Sequence, residues 1–204
     1  MPEIVTAILQ TIELGWEFAR KRSEVTAQAG EVVMTECLRD GMRSALSEHA
    51  LPWRKTMIIA PGTESRSQAG MVAPDGRTDI PIYLTPVFEQ TDDHDPHAIA
   101  ECKRVSDSDR SLCREYVIEG IDRFITGKYS ENHSRGFMIG YVLSGSTDGA
   151  VEWVNAYLVG RERTIDRLSE NGCEVEFSGW TSVHHRSGNG DVTLHHIMLP
   201  VTAN

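Results

Sequence analysis

The sequence predicts a single mixed α/β domain, and three observations lead to that prediction. The chain has 204 residues, of which 40% are hydrophobic and 25% are charged, which suits one hydrophobic core. Apolar residues recur at helical spacing in some segments and form short continuous runs in others. These segments follow one another in the order α-α-β-β-β-α-β-α-β-β, with no internal repeat.

Two amphipathic helices are predicted at the start of the chain. Residues 3–22 carry one apolar stripe at helical spacing, and residues 30–49 carry another. The stripes consist of Ile4, Ile8, Ile12, Trp16 and Ala19 in the first helix and of Met34, Leu38, Met42 and Ala45 in the second. Each helix is therefore expected to pack one face on a sheet.

Three strands are predicted after these helices. The first lies in the run KTMIIAPG at residues 55–62, and the polar, glycine-containing residues 63–76 that follow are typical of a turn or loop. The second and third strands are predicted at residues 78–84 and 98–105. The acidic segment EQTDDHDPH at residues 89–97 favours a bend between them.

The second half of the chain is predicted to alternate helices and strands. Amphipathic helices are expected at residues 107–129 and 149–168, and the most hydrophobic strand of the chain at residues 135–145. The tail predicts a further strand and a hairpin turning at Asn189 and Gly190.

A two-residue turn at that point would place His184 opposite His195. Adjacent histidines on a strand point to opposite faces, and no third ligand is evident. Surface histidines are therefore favoured over a zinc site here.

Charge and cysteine content limit the class of protein. The formal net charge of −10 argues against broad nonspecific affinity for nucleic acid. Any acidic residues that bind a metal ion are also counted in this net charge. The start of the chain lacks the pattern of a secretory signal, and no long apolar run is present, so a cytoplasmic protein is expected. The cysteines form no C-x-x-C pair and are expected to be reduced thiols: Cys37, Cys102, Cys113 and Cys173.

Charged residues stand in two of the predicted strands, where burial makes them costly. Asp79 lies in the second strand, and Glu101 and Lys103 lie in the third. Side chains two positions apart project from one face, so Glu101 and Lys103 are presented together while Cys102 points to the other face. If the preceding strand lies alongside, Asp79 reaches the same point. Two carboxylates and a lysine then form a candidate site for a divalent cation, which offsets the desolvation cost.

This arrangement resembles the PD-(D/E)xK, or restriction-endonuclease-like, nuclease superfamily. Asp79 precedes the tripeptide Glu101-Cys102-Lys103 within an α-β-β-β-α-β order, although Thr78 stands where the family name has proline. The resemblance implies one nuclease-like domain with a core at about residues 30–144. The N-terminal helix at 3–22 and a C-terminal helix plus β-hairpin at 148–201 would pack on that core.

The resemblance also implies roles for these residues. Asp79, Glu101 and Cys102 would be metal ligands, and Lys103 would position or activate the attacking water. The implied metal is Mg²⁺, which Mn²⁺ can replace, and DNA is the favoured substrate. Restriction or antiphage defence is the implied setting for a homo-oligomer or a subunit of a defence complex, with no membrane partner. A nuclease for RNA or repair intermediates and a non-catalytic, nuclease-like scaffold are the alternatives.

Many members of the superfamily add a glutamate from the first core helix to the site. This chain offers Glu31 and Glu36. At about 100° per residue, Glu31 falls in the apolar stripe and faces the sheet, whereas Glu36 faces water. Glu31 is therefore a candidate catalytic residue, although a glutamate in the first turn also suits the helix dipole.

Two further groups of side chains have alternative interpretations. Tyr116, Arg123 and Tyr129 follow the E-x-K strand and are candidates to contact phosphate, although tyrosines at helical spacing are more typical of a core. The tryptophans outside the predicted nuclease core either anchor a partner or complete the monomer's own core: Trp16, Trp153 and Trp180.

Overall fold

A mixed sheet with helices on both faces organises the chain in the computed structural model, which describes residues 2–65, 76–129, 133–170, 179–186 and 190–201. The helices are α1 (Pro2–Ala19), α2 (Glu31–Glu48), α3 (Thr85–Thr91), α4 (Arg110–Tyr116), α5 (Asp122–Ile125) and α6 (Thr147–Val159), with a π-helical turn at Val117–Ile121 and a 3-10 turn at Thr164–Asp166. The strands are β1 (Met57–Ile59), β2 (Glu64–Ser65), β3 (Gly76–Arg77), β4 (Ile80–Leu84), β5 (Ala98–Val105), β6 (Arg135–Val142), β7 (Ser169–Glu170), β8 (Trp180–Arg186) and β9 (Gly190–Pro200).

The strands of the described ranges form a seven-stranded sheet and a separate ribbon. The order in the sheet is β1-β4-β5-β6-β9-β8-β7, and β2 pairs with β3. The central strands β5, β6 and β9 are parallel to one another, and the remaining neighbours are antiparallel. Parallel strands covered on both faces are apolar along nearly their whole length. β5 and β6 have that pattern, which makes the charges within β5 unusual.

Alternation along β5 divides the core into two clusters. Ala100 and Cys102 belong to the cluster beneath α1 and α2. Ile99 and Val105 belong to the cluster beneath α4, the π-turn and α6. Because side chains alternate along a strand, the side chains of Glu101 and Lys103 leave β5 on the second face.

The predicted helices and strands occur in the predicted order, but α3, β2, β3 and β7 were not predicted, and several boundaries are wrong. β4 begins at Ile80, so Asp79 lies in the bend before the strand rather than within it. The stretch after β4, expected to turn, contains α3, which begins with a proline in its first turn and ends at Asp92 in the left-handed conformation. The predicted loop at residues 63–76 contains β2 near its start and reaches β3 at its end. Residues 66–75 lie outside the described ranges.

Both predicted long helices of the second half are shorter than the apolar pattern suggests. The one expected at 107–129 is divided into α4, the π-turn and α5. The one expected at 149–168 ends at Val159, and Glu162 then has a positive φ of 61°. Ile165, assigned to the apolar stripe, is 88% exposed. The chain therefore leaves the helical path before its last apolar residues.

The C-terminal hairpin has a different register from the one predicted. Arg186 pairs with Gly190, so residues 187–189 lie between the strands and outside the described ranges. His184 consequently pairs with Val192, and His195 pairs with Thr181. The two histidines are therefore not opposite each other. His184, His195 and His196 are buried, so the expectation of surface histidines is wrong for these three and holds for the exposed His185.

The tryptophans differ in their surroundings. Trp16 is 3% exposed, its indole N–H donates to the carbonyl of Pro200 at 3.2 Å, and its ring lies 5.6 Å from that of Tyr141. It completes the core of the monomer. Trp180 is partly buried against the second cluster, and Trp153 is 41% exposed.

None of the helices in the described ranges is both long and apolar enough to cross a membrane.

The crossing of α1 and α2 predicts a test of the fold. A Cβ added to Gly41 would lie 2.1 Å from the carbonyl oxygen of Gly15, a backbone atom that cannot move aside alone. We expect Gly41→Ala to lower the free energy of unfolding by about 2–3 kcal/mol in chemical denaturation. Gly30→Ala, at the start of α2 with open space around its Cβ, is the control and should cost less than about 1 kcal/mol.

Candidate functional site

The candidate site lies where β4 and β5 separate. The antiparallel ladder between them ends at the pair Ile80–Ala100. Beyond that pair, the backbone N–H of Cys102 donates to Oδ2 of Asp79 at 2.8 Å. The carboxylate thus takes the place of the missing strand partner and satisfies a backbone donor that would otherwise be buried and unpaired.

A second carboxylate caps the same edge of β5. Glu31 is the first residue of α2, and its Oε2 accepts the backbone N–H of Arg104 at 3.3 Å. The prediction that Glu31 faces the sheet is confirmed by this contact. Glu36, one turn further on, instead forms an ion pair with Arg39.

The ammonium of Lys103 lies at the centre of the cluster. Its Nζ donates to Oε1 of Glu101 at 2.7 Å and to Oε1 of Glu31 at 3.0 Å. It also donates to the carbonyl oxygen of Cys102 at 2.8 Å and lies 3.9 Å from Oδ2 of Asp79. Four oxygens from three elements therefore surround one positive charge.

Glu101 is the most enclosed member of the cluster, since its side chain has no exposed surface. The hydroxyl of Tyr129 donates to its Oε2 at 2.5 Å. Nη1 of Arg123 donates to its Oε1 at 2.9 Å and also to the hydroxyl oxygen of Tyr129 at 2.9 Å. Both carboxylate oxygens thus have partners, as a buried charge requires.

Burial and neighbouring charges act in opposite directions on the pKa values here. Burial, with a further contribution from Asp79, raises the pKa of Glu101 to about 7, although Lys103 and Tyr129 favour its ionised form. Burial alone would lower the pKa of Lys103, but the carboxylates of Glu101, Asp79 and Glu31 outweigh it and raise that pKa. The cluster therefore holds the lysine as an ammonium.

Access to the cluster is from the Glu31 and Asp79 side. These side chains are 29% and 27% exposed, whereas Lys103 is 7% exposed. They line a cavity of about 120 Å³ together with Arg77 and Thr78. A larger cleft of about 740 Å³ lies between α1 and β9, and none of the cluster residues lines it. The smaller cavity is therefore the candidate point of entry to the cluster.

The oxygen atoms of the cluster suit a hard divalent cation, because Mg²⁺ prefers carboxylate and carbonyl oxygens. Asp79 and Glu101 supply carboxylates. Within the described ranges, the cluster has three carboxylates, including that of Glu31, and two cations contact it, Lys103 and Arg123. Among the residues that the structure describes, no group of three or more histidine, cysteine or acidic side chains is placed so that it could hold a metal ion. The ammonium of Lys103 occupies the point on which these oxygens converge.

Cys102 contributes to the site through its backbone only. Its side chain is fully buried on the opposite face, and burial raises the pKa of its thiol well above the ordinary value. Its N–H bonds Asp79 and its carbonyl bonds Lys103. Any metal contact by this residue is through the carbonyl oxygen, since a buried neutral thiol is a poor ligand.

The contacts of Arg123 and Tyr129 with Glu101 were missed by the sequence argument. A continuous helix was expected through residues 107–129, and the π-turn at Val117–Ile121 changes the direction in which later side chains project. The sequence offered one signal for these contacts, namely that a buried carboxylate at Glu101 needs hydrogen-bond donors. Tyr116, grouped with these two residues in the sequence, points elsewhere.

A second buried polar chain connects α4 to the C-terminal hairpin. The hydroxyl of Tyr116 bonds Nδ1 of His196 at 2.8 Å, and the Oγ of Ser182 lies 2.7 Å from Nε2 of both His196 and His184. Nδ1 of His184 lies 3.0 Å from Oδ1 of Asp166. Because the carboxylate only accepts, the donors run in one direction from the tyrosine to the aspartate. Burial lowers the pKa of both histidines, so both rings are neutral.

Comparison of the chain with protein-family models, curated proteins and solved structures found no match.

The raised pKa of Glu101 predicts how stability depends on pH in metal-free protein. An unfolded carboxyl loses its proton near pH 4.5, whereas the folded one keeps it to about pH 7. This group therefore makes the folded state less stable as pH rises from 4.5 to 7, by up to about 3 kcal/mol. Glu101→Gln has no such titration. The stability of wild type relative to Glu101→Gln, from urea unfolding in EDTA, should fall between pH 5 and pH 8, and a constant difference would contradict the prediction.

The polar chain through Ser182 predicts a stability effect outside the carboxylate cluster. Ser182→Ala leaves Nε2 of two buried histidines without a partner, so we expect a loss of about 2–4 kcal/mol in the free energy of unfolding. Ser169→Ala, on exposed β7, is the matched control and should change it by less than about 0.5 kcal/mol. Equal effects of the two substitutions would show that the buried polar network through Ser182 contributes little to stability.

Proposed function

We propose that this protein is a metal-dependent nuclease of the PD-(D/E)xK type that hydrolyses phosphodiester bonds, with DNA as the favoured substrate. The observation that carries the proposal is the convergence of Glu31, Asp79 and Glu101 on Lys103 where β4 leaves β5. Carboxylates beside an open strand edge, together with a lysine, are a chemically sufficient set for metal-assisted hydrolysis. The sequence of main elements α2, β1, β4, β5, α4 and β6, with the short α3 inserted before β5, supports a restriction-endonuclease-like core.

Asp79 and Glu101 hold the cation in this proposal, and the carbonyl oxygen of Cys102 lies beside them. When bound, Mg²⁺ supplies a Lewis acid for the phosphate and an acidified water as nucleophile. Glu31 balances the charge of Lys103 and is exposed enough to receive a proton from water. Lys103 has donors only, so it positions the water or the phosphate oxygen and offsets negative charge as that charge develops.

Substrate delivery is a separate requirement of the proposal. A net charge of −10 provides little general attraction for nucleic acid, so the substrate must be brought to the site by a more specific contact. A homo-oligomer or a larger defence complex provides one, and restriction or antiphage defence is the proposed setting. Mn²⁺ is expected to replace Mg²⁺, because it accepts the same oxygen ligands.

One observation favours a second candidate, a non-catalytic nuclease-like scaffold. Glu101 has no exposed surface, and both of its oxygens already have protein donors. A cluster whose charges only stabilise the strand edge would have this appearance. The two candidates differ in whether the cluster binds a divalent cation and in whether the protein cleaves nucleic acid.

The nuclease proposal predicts cleavage of supercoiled plasmid with Mg²⁺ and none with EDTA. Lys103→Ala should reduce the rate at least about 100-fold, and Glu31→Gln should reduce it less, because removing a preorganised charge costs about that much in rate. Glu48→Gln, at the exposed far end of α2, is the control and should be unaffected. Single-stranded RNA in parallel reactions separates the DNA proposal from the RNA alternative. Folded wild-type protein that leaves both nucleic acids intact would favour the scaffold.

A further inference from the structure

Glu101 is held by a closed triangle of hydrogen bonds that the catalytic set does not require. Arg123 donates to the carboxylate and to the hydroxyl of Tyr129, and that hydroxyl donates to the other oxygen of the carboxylate. The three distances are 2.9, 2.9 and 2.5 Å. Each of the three side chains therefore contacts both of the others. We call Arg123 and Tyr129 the Glu101 clamp.

Local backbone structure directs the clamp toward β5. The π-turn at Val117–Ile121 adds a residue to the helical turn immediately before α5, which carries Arg123. Gly120 lets this turn approach the sheet closely, since a Cβ there would lie 2.5 Å from Cε of Met138 and 3.4 Å from Cγ of Lys103.

The clamp restricts a rotation of the Glu101 carboxylate that its contact with Lys103 alone would allow. The ammonium contacts only Oε1, so the carboxyl plane could still rotate about the bond to the side chain. Tyr129 fixes Oε2, and Arg123 fixes the position of the tyrosine hydroxyl. Carboxylates that bind metals depend on such surrounding hydrogen bonds for their orientation.

We propose that Arg123 and Tyr129 are positioning residues for metal binding, which fix the carboxylate of Glu101 in the orientation that a divalent cation requires. This inference rests on the proposed function, because it assumes that Glu101 is a metal ligand. It assigns the clamp a role distinct from phosphate contact: the two side chains act through Glu101 and before nucleic acid binds.

Manganese binding in the absence of nucleic acid tests the clamp directly. The electron paramagnetic resonance signal of free Mn²⁺, titrated with metal-free protein, gives the dissociation constant without a cleavage assay. Tyr129→Phe removes one hydroxyl and should weaken Mn²⁺ binding about tenfold or more. Arg123→Lys keeps the charge but cannot reach both partners, and it should weaken binding similarly. It also keeps the inference testable if Tyr129→Phe does not fold.

The matched control is Glu119→Gln, which removes the other, exposed partner of Arg123 at 3.4 Å and leaves the clamp intact. Its Mn²⁺ affinity should match that of wild type. Mn²⁺ affinity equal to wild type in folded Tyr129→Phe and Arg123→Lys overturns the clamp but leaves the nuclease proposal standing. Wild type that binds no Mn²⁺ overturns the metal site and the clamp together. Unchanged Mn²⁺ binding with weakened DNA binding in Arg123→Lys would assign that residue to phosphate contact instead.

Discussion

The separation of β4 from β5 after the pair Ile80–Ala100 is the constraint on which the site depends. A strand that loses its neighbour leaves backbone N–H groups without partners, and here two of them lie on one edge of a central strand. Asp79 and Glu31 accept these N–H groups. The same opening places their carboxylates beside Lys103, so satisfying the backbone and assembling the cluster are one structural event.

The cluster also shows why charges remain in an otherwise apolar strand. Glu101 pairs with Lys103 and Arg123, and within the described ranges the three carboxylates of the cluster contact two cations. Burial, with a further contribution from Asp79, raises the pKa of Glu101, because its charged form is costly away from water. The ionised form that the proposed metal site needs is therefore the form that lowers the stability of the folded state.

Both faces of the sheet contribute to this one point. Glu31 comes from α2 on one face, whereas Arg123 comes from α5 and Tyr129 from the turn after α5, on the other. Glu31 and the clamp reach the same point because β5, which lies between them, is not paired with β4 beyond Ala100. The buried chain from Tyr116 to Asp166 lies further along the second face and links α4 to the hairpin. It is a separate network, and it explains the burial of His184 and His196 without a metal.

The sequence by itself determined the order of the main helices and strands, though not the presence of α3, and it determined the face of β5 from which Glu101 and Lys103 project and the inward phase of Glu31. These follow from the periods of 2 and 3.6 residues, which are local properties of the chain. Only the tertiary structure decided that Asp79 precedes its strand, that Trp16 belongs to the core, and that Arg123 and Tyr129 hold Glu101. The strand separation, the π-turn and the hairpin register depend on contacts between residues far apart in sequence, and no local period encodes such contacts.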